Sequence, residues 1–249
     1  MLVGKAASIL KSASYAVALT GAGISTPSGI PDFRSEETGL WTQVNPIEVA
    51  SLSTFRVSPE KFFSWFRPLT KQIVEAQPNP AHQALAELEN AGLIKTVITQ
   101  NIDGLHQKAG SKHVLEVHGS LNTVTCGSCY KKYPTSICLE KFIDQGIIPI
   151  CPSCGGILKP DAILFGEQLP TKTWQNVKNE IKKSDMMLVV GSSLEVFPVA
   201  KLPYNVVSSG GKIVIINNQH TYLDERAEVV FHQDAAITLP KILKGLKHG

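Results

Sequence analysis

Four of the five cysteines fall in two pairs whose spacing is typical of a metal site. Cys126 and Cys129 form one Cys-x-x-Cys pair, Cys151 and Cys154 form the other, and twenty-one residues separate the pairs. Two such pairs can hold one Zn²⁺ from two tight turns, and four thiolates leave no coordination position for a catalytic water. The pattern therefore predicts one structural zinc ion. Cys138 has no partner pair and is expected to be a packed or surface thiol.

A second group of residues suits a ligand that contains phosphate. Residues 21–26 read Gly-Ala-Gly-Ile-Ser-Thr after a short apolar run. We expect this loop to open a helix, where its backbone amides could hold a pyrophosphate. Because Thr26 stands in place of the third glycine of a G-x-G-x-x-G motif, the loop alone is equally typical of a tight turn. Residues 191–193, Gly-Ser-Ser, and Asn217 add phosphate and ribose partners, which favours a nucleotide site.

These residues follow short apolar runs that predict the strands of a parallel sheet. The sequence predicts five buried strands, at residues 16–19, 96–99, 114–117, 187–190 and 213–216. Most are apolar on both faces, as strands covered by helices on each side are, and residues 80–90 predict one such helix. Ligands of these sheets bind beyond the carboxyl ends of the strands, so we expect one crevice to collect the polar residues that follow them.

Two stretches do not fit the alternation of strands and helices. Residues 35–77 are rich in aromatic side chains and predict a helical insertion. Residues 122–159 contain all five cysteines and show little apolar periodicity. We therefore predict one sheet domain with two insertions.

Composition restricts the class of protein further. The chain has 249 residues, of which 43% are hydrophobic and 18% are charged, as expected for a globular protein with a substantial core. A net charge of +3 is too small to predict binding to nucleic acid or to anionic membranes. No apolar run approaches the roughly 20 residues that span a bilayer, and no secretion signal is evident, so we expect a cytoplasmic protein.

Taken together, the motifs resemble those of the sirtuins, which are NAD-dependent protein-lysine deacylases, and in particular the compact prokaryotic members. The resemblance spans nearly the whole chain and rests on motifs in the right order: residues 21–25 and 30–34, Thr-Gln-Asn-Ile-Asp at 99–103, His118-Gly119, the two cysteine pairs, Phe165-Gly166-Glu167, and Gly-Ser-Ser-Leu at 191–194. It implies a Rossmann-like NAD-binding domain made of residues 1–34, 78–121 and 160–249. Residues 35–77 and 122–159 would build the smaller domain.

The resemblance also implies a role for individual residues. Asn101 and Asp103 match the positions that grip the carboxamide of nicotinamide, and Phe33 matches the aromatic ring over the reactive sugar. His118 matches the general base, and an unperturbed histidine can accept a proton at neutral pH. The residues expected to bind NAD are Gly21, Ala22, Gly23, Ser25, Thr26, Asp32, Phe33, Arg34, Trp41, Gln100, Asn101, Ile102, Asp103, Gly191, Ser192, Ser193, Asn217, Asn218 and Ala235. His82, His106 and His113 are interpreted as structural.

The acyl-lysine substrate is expected to bind as an added strand between two extended segments, 163–167 and 194–197. The residues expected to contact it are Ile163, Phe165, Gly166, Glu167, Leu194 and Val196, with Phe197 beside them. Family members that remove succinyl or malonyl groups carry a Tyr-x-x-Arg pair where this chain has Phe66 and Leu69, although Arg67 lies nearby. We therefore predict a preference for neutral acyl groups.

Three alternatives remain open from the residues. A nicotinamide-dependent dehydrogenase with a structural zinc is one, but the expected acidic residue about 20 positions after the glycine loop is missing. A zinc-ribbon module that reads nucleic acid is another, supported only by Tyr130, Lys131 and Lys132. The third is a protein ADP-ribosyltransferase that uses the same NAD site.

Overall fold

A computed structural model describes residues 1–33 and 39–247, except for the side chains of Trp41 and Gln43. Within these residues the strands are β1 (Ala16–Thr20), β2 (Thr96–Thr99), β3 (Val114–Glu116), β4 (Gly119–Cys126), β5 (Lys132–Pro134), β6 (Leu158–Ala162), β7 (Met186–Val190), β8 (Lys212–Ile216) and β9 (Val229–Phe231). The α-helices are α1 (Leu2–Ser12), α2 (Leu40–Gln43), α3 (Pro46–Val49), α4 (Leu52–Val57), α5 (Pro59–Glu75), α6 (Pro80–Asn90), α7 (Leu105–Lys108), α8 (Leu139–Gln145), α9 (Thr171–Lys183), α10 (Leu202–Ser208) and α11 (Ala235–Lys247).

Six strands form one parallel sheet in the order β3-β2-β1-β7-β8-β9. Counted along the chain, this is the 3-2-1-4-5-6 order of a Rossmann-like fold, and its switch point lies between β1 and β7. The predicted parallel sheet is confirmed, and its five predicted strands agree with the observed ones to within one residue at each end. The sixth strand, β9, was missed because a run of three residues carries too little periodicity to be recognised.

Helices cover both faces of the sheet because its strands are apolar on both sides. In β1, Ala16 and Ala18 pack with α1, α6 and α11, whereas Val17 and Leu19 pack with α9 and α10. Successive side chains of a strand point to opposite faces, so one short strand contributes to two cores. Helix α6 is confirmed at the predicted residues, and Asn79 caps it by accepting a hydrogen bond from the backbone N–H of Ala81.

The two insertions pack against each other. Helices α4 and α5 supply a cluster of phenylalanines, and the ring of Phe63 lies 5.4 Å from that of Phe142 in α8. Strands β5, β4 and β6 form a small antiparallel sheet that the cysteine-rich sequence did not reveal. Strand β4 begins at Gly119 and β6 ends at Ala162, so each crosses a predicted domain boundary. The boundaries themselves stay a prediction.

Two local expectations were wrong. The glycine loop does not open an α-helix, since Ala22–Ile24 and Thr26–Ser28 are single 3₁₀ turns. Segments 163–167 and 194–197 were expected to be extended, but they are not extended throughout, because Gly166 has a φ of 87° and Leu194 a φ of 57°. Phe165 makes one isolated bridge to Ser51. Among the described residues, no helix combines the length and the apolar character that crossing a membrane requires.

Candidate active site

A cavity of about 630 Å³ lies where the carboxyl ends of the parallel strands face the helical insertion. This volume falls within the range of ordinary ligand sites, roughly 300–1,000 Å³. The predicted NAD-binding and catalytic residues that line it are Gly21, Ala22, Gly23, Ser25, Thr26, Asp32, Phe33, Gln100, Asn101, Ile102, Asp103, His118, Gly191, Ser192, Ser193, Asn217, Asn218 and Ala235. The structure therefore brings together residues from five strand ends, as the sequence predicted.

Some predicted contacts do not reach the cavity or cannot be placed. Ile163, Phe165, Gly166, Glu167 and Val196 line the cavity, together with Phe197. Leu194 does not: its side chain is 3% exposed and packs in the core between the sheet and α10, because its left-handed backbone turns it inward. The expectation that Leu194 walls the site is therefore wrong. Arg34 and the side chain of Trp41 lie outside the described residues.

The glycines of the first loop are needed for the approach of two loops. A Cβ on Gly21 would lie 2.7 Å from the carbonyl oxygen of Gly191, and a Cβ on Gly23 would lie 2.9 Å from the Cα of Gly191. Gly191 itself has a φ of 61°, which disfavours other residue types. The loops after β1 and β7 thus meet directly at the switch point of the sheet.

A network of short hydrogen bonds fixes the polar end of the cavity. The Ser25 hydroxyl donates to Oδ2 of Asp103 at 2.7 Å and accepts from Nδ2 of Asn101 at 3.1 Å. Nδ2 of Asn101 also donates to the carbonyl oxygen of Gly21, and Oδ1 of Asp103 accepts from the backbone N–H of Leu105. Both amide protons of Asn101 are therefore used, and its carbonyl oxygen is left to accept from a ligand. Asp103 keeps further lone pairs for the same purpose.

Two buried histidines support this network from behind. The backbone N–H of Asn79 donates to Nδ1 of His82, which assigns the ring proton to Nε2, 3.4 Å from the Ser25 hydroxyl. Burial lowers the pKa of His82 to about 4, against the attraction of Asp103. Burial also lowers the pKa of His106 to about 3, and its ring packs edge to face with that of His82 at 5.0 Å. Both rings are therefore neutral at pH 7.

His118 is held in the tautomer that a base requires. Its Nδ1 lies 3.1 Å from the carbonyl oxygen of Gln100, and because a carbonyl only accepts, Nδ1 carries the proton. The lone pair of the neutral ring is then on Nε2. The backbone carbonyl of His118 accepts from the N–H of Ile163, and Gly119 follows with a φ of 74° beside Asp161. The turn that presents His118 is thus fixed by the small antiparallel sheet.

Comparison with known proteins identifies the family. The Sir2 family model matches residues 21–198. The chain belongs to the Sir2 family. An NAD-dependent protein deacetylase of Saccharolobus solfataricus is 45% identical over 99% of this chain and 98% of its own length. NAD-dependent protein deacylase 2 of Archaeoglobus fulgidus is 46% identical over 98% and 96%.

Solved Sir2 structures share the complete fold. A Sir2 variant bound to a deacetylated p53 peptide and 3′-O-acetyl ADP-ribose superposes with a TM-score of 0.92. It is 38% identical, and the match covers 98% of both chains.

The four paired cysteines of this Sir2-family chain have the geometry of a zinc site. Sγ of Cys126 is 3.5 Å from that of Cys154, and Sγ of Cys129 is 3.7 Å from that of Cys151. A tetrahedral ion with Zn–S bonds of about 2.3 Å separates its ligands by about 3.8 Å, whereas a disulfide would need about 2.05 Å. The four cysteines therefore fit one structural zinc ion. Cys138 is half-buried and is not part of the cluster.

The part of the cavity formed by α5 is apolar. Phe66 and Leu69 line it and are 4% and 5% exposed. Arg67, the only cation suggested for this region, uses Nε and a terminal nitrogen to donate to the carbonyl oxygens of Ile143 and Asp144, both at 2.8 Å. Its guanidinium therefore stabilises the end of α8 and does not face an acyl group at Phe66 and Leu69.

The support that two buried histidines give to this Sir2-family site was not predicted. His82 and His106 were interpreted as structural, which agrees with their burial, but the contact of His82 with Ser25 and the packing of the two rings were not foreseen. The signal for His82 was its position three residues after the helix cap Asn79, which fixes the direction of its side chain. No local pattern distinguished His106.

Proposed function

We propose that this chain is an NAD-dependent protein-lysine deacylase, which transfers the acyl group of acyl-lysine to ADP-ribose and releases nicotinamide and free lysine. The observation that carries the proposal is the placement of His118 in the same cavity as the network of Ser25, Asn101 and Asp103. Relatives named deacetylases and deacylases, matched over nearly their whole length, support it. No comparable support exists for a dehydrogenase or for ADP-ribosyl transfer as the main activity.

Asn101 and Asp103 would orient the nicotinamide carboxamide. The carboxylate of Asp103 accepts from the amide N–H₂, and the carbonyl oxygen of Asn101 accepts a further hydrogen bond. Because Ser25, which His82 contacts, already holds both side chains, little ordering is left to occur when the ligand binds. Such preorganisation favours the charge that develops as the nicotinamide–ribose bond breaks, and Phe33 would shield the sugar face from water.

His118 would act as the general base. NAD supplies the ADP-ribosyl group that receives the acyl group, and the unprotonated Nε2 of His118 would take the proton of a ribose hydroxyl. The Nδ1 proton, bonded to the carbonyl of Gln100, stabilises the imidazolium that results. Gln100 is itself fixed, because its Nε2 donates to the Ser192 hydroxyl at 2.9 Å.

The peptide substrate would bind along the loop 163–167. Lys159 and Glu167 fix this loop through an ion pair of 3.0 Å, and both side chains are 17% exposed. The backbone N–H of Phe165 donates to Ala50, and its carbonyl accepts from Leu52. An added peptide strand must therefore pair with backbone groups of the other residues in this loop and in segment 195–197.

The apolar wall at Phe66 and Leu69 favours neutral acyl groups, acetyl first. A succinyl group would bring a carboxylate against apolar side chains while Arg67 is engaged with α8, and an unpaired charge in such a place is costly. We expect kcat/KM for an acetyl-lysine peptide to exceed that for the matched succinyl-lysine peptide. The reverse order would reject this part of the proposal.

The decisive experiment is to incubate the protein with NAD and an acetyl-lysine peptide and to follow all products by mass spectrometry. Deacylation predicts one nicotinamide for each deacetylated peptide, together with acetylated ADP-ribose. Protein that carries ADP-ribose, with intact peptide, would favour the transferase, and a reduced-nicotinamide absorbance band would favour a dehydrogenase.

Variants of two histidines test the assignment of the base. His118→Ala should retain NAD binding, measured by calorimetry, and lose turnover by at least about 100-fold, since general base catalysis contributes roughly 10²–10⁴. His113→Ala, at an exposed ring paired with Glu89 away from the cavity, is the matched control and should turn over normally. Normal activity of the His118 variant would remove this residue from the mechanism.

We also place the protein in the cytoplasm. The support is chemical, since four cysteines that hold zinc as thiolates are favoured in a reducing compartment. Fractionation of cells that express the protein tests this, and recovery with membranes or outside the cell would contradict it.

A further inference from the structure

Two histidines and one aspartate converge on the loops that follow β8 and β9. Nδ1 of His220 lies 3.1 Å from Oδ2 of Asp224, and Nε2 of His232 lies 3.3 Å from the same oxygen. The two imidazole rings are 4.1 Å apart between their centroids. Within residues 1–33 and 39–247, this group and the four cysteines are the two places where at least three such ligand atoms lie within 4.8 Å of one another.

These distances are those expected of a metal site. Zinc binds imidazole nitrogen at about 2.0–2.1 Å and carboxylate oxygen at about 2.0–2.2 Å, so two ligands of one tetrahedral ion are about 3.3 Å apart. The two nitrogen to oxygen distances at Asp224 match this value.

Hydrogen bonds around the group also fix which atoms of His232 and Asp224 face each other. Nδ1 of His232 lies 3.2 Å from the backbone carbonyl oxygen of Asn217, which can only accept, so Nδ1 carries the proton. In the neutral ring, Nε2 then directs its lone pair at the Asp224 carboxylate. Both atoms are acceptors in this arrangement, so a cation placed between them would satisfy both.

A backbone carbonyl that accepts from the second ring nitrogen is the usual outer partner of a metal-bound histidine. The carboxylate of Asp224 is also held by hydrogen bonds from a neighbouring residue. Its Oδ1 accepts from the hydroxyl of Thr221 at 2.6 Å and from the backbone N–H of Thr221 at 3.2 Å. Its Oδ2 is thereby directed at the two histidines.

We propose that His220, Asp224 and His232 form a second metal site, which binds a divalent transition ion such as Zn²⁺. Two imidazoles and one carboxylate suit such an ion and leave at least one coordination position to water. The His220 side chain is 86% exposed and that of Asp224 is 16% exposed, so the site is open to solvent and exchanges its ion more readily than the four cysteines do.

Metal binding at this site would be coupled to the cavity through one residue. Asn217 lines the cavity, and its carbonyl oxygen binds His232. An ion held by His232 would therefore fix the position of the loop after β8. The proposal itself concerns metal binding and does not depend on the proposed deacylase activity.

The test uses the full chain with its cysteine site loaded. After a mild chelator and desalting have removed loosely bound metal, the protein is dialysed against buffered Zn²⁺, and bound zinc per chain is measured by mass spectrometry. We expect a second, weaker zinc ion in the wild type. We expect its affinity to fall at least about 10-fold in His220→Ala, His232→Ala and Asp224→Asn, since even outer partners of a metal contribute 10–100-fold.

The controls separate this site from nonspecific binding and from a simple ion pair. His220→Ala removes a largely exposed side chain, so its effect cannot come from unfolding. His113→Ala is matched to it, because the His113 ring also pairs with one carboxylate, Glu89 at 3.0 Å, without a second imidazole. This control should bind zinc as the wild type does. If the wild type binds one zinc ion only, or if the variants at His220, Asp224 and His232 bind a second ion equally well, the proposal is wrong.

Discussion

The buried histidine His106 should make the stability of this protein sensitive to mild acid. Its side chain is 1% exposed, it lies 2.9 Å from the Thr20 hydroxyl, and burial lowers its pKa to about 3. In the unfolded chain the same imidazole titrates near its ordinary value of about 6.5. Between these two values only the unfolded state takes up the proton, so a falling pH favours unfolding.

The magnitude of this loss of stability depends on the pKa of His106 in the unfolded chain, because its pKa in the folded protein lies well below the pH range of the assay. At pH 5, about 1.5 units below the unfolded value, His106 accounts for a loss of about 2 kcal/mol relative to pH 7. The contribution of neutral His106 to the free energy of unfolding is therefore retained above about pH 6.5 and is lost as the pH falls below that value. In a chain of this size the loss corresponds to a decrease in Tm of about 4–8 °C.

The assay is urea unfolding at pH 7 and pH 5 for the wild type and two variants. His106→Gln keeps an amide N–H for Thr20 but cannot titrate, whereas Thr20→Val removes the hydrogen-bond partner and keeps the imidazole. Going from pH 7 to pH 5, the wild type and Thr20→Val should each lose about 2 kcal/mol more than His106→Gln. Acid effects on the zinc site are common to all three proteins and cancel. Equal losses in the wild type and His106→Gln would show that His106 does not cause the acid sensitivity.

Three further predictions concern the parts that support the site. Gly119→Ala should lower kcat at least about 10-fold with unchanged zinc content, because its Cβ would overlap the carbonyl of Asp161 and displace His118. Gly210→Ala has the same backbone strain (φ 83°) in open space and should keep its kcat. Arg67→Met should lower the free energy of unfolding by about 1–3 kcal/mol in urea, since two hydrogen bonds to the end of α8 are lost. Cys151→Ser should lose the bound zinc ion and lower Tm, whereas Cys138→Ser should retain the metal; equal zinc contents would contradict the assignment.

The sheet was predictable because its signal is local. Strands such as β1 and β7 are buried on both faces, so their apolar runs identify them without knowledge of their neighbours. The polar residues after them could then be assigned to one edge. The predicted helix at the glycine loop was wrong because the loops after β1 and β7 meet, and 3₁₀ turns at residues 22–28 accommodate that contact.

Local sequence was enough to identify the residue types at the strand ends and to show that four cysteines could share one metal ion. How those side chains bond to one another depends on the folded chain. Ser25 meets Asp103 across 78 positions, Arg67 reaches the end of α8, and His232 lies against Asp224 through the return of the chain in β9. Periodicity and spacing describe a segment and its immediate neighbours, whereas these contacts depend on how distant segments pack. That packing also directs Leu194 into the core and leaves Arg67 unavailable to a substrate.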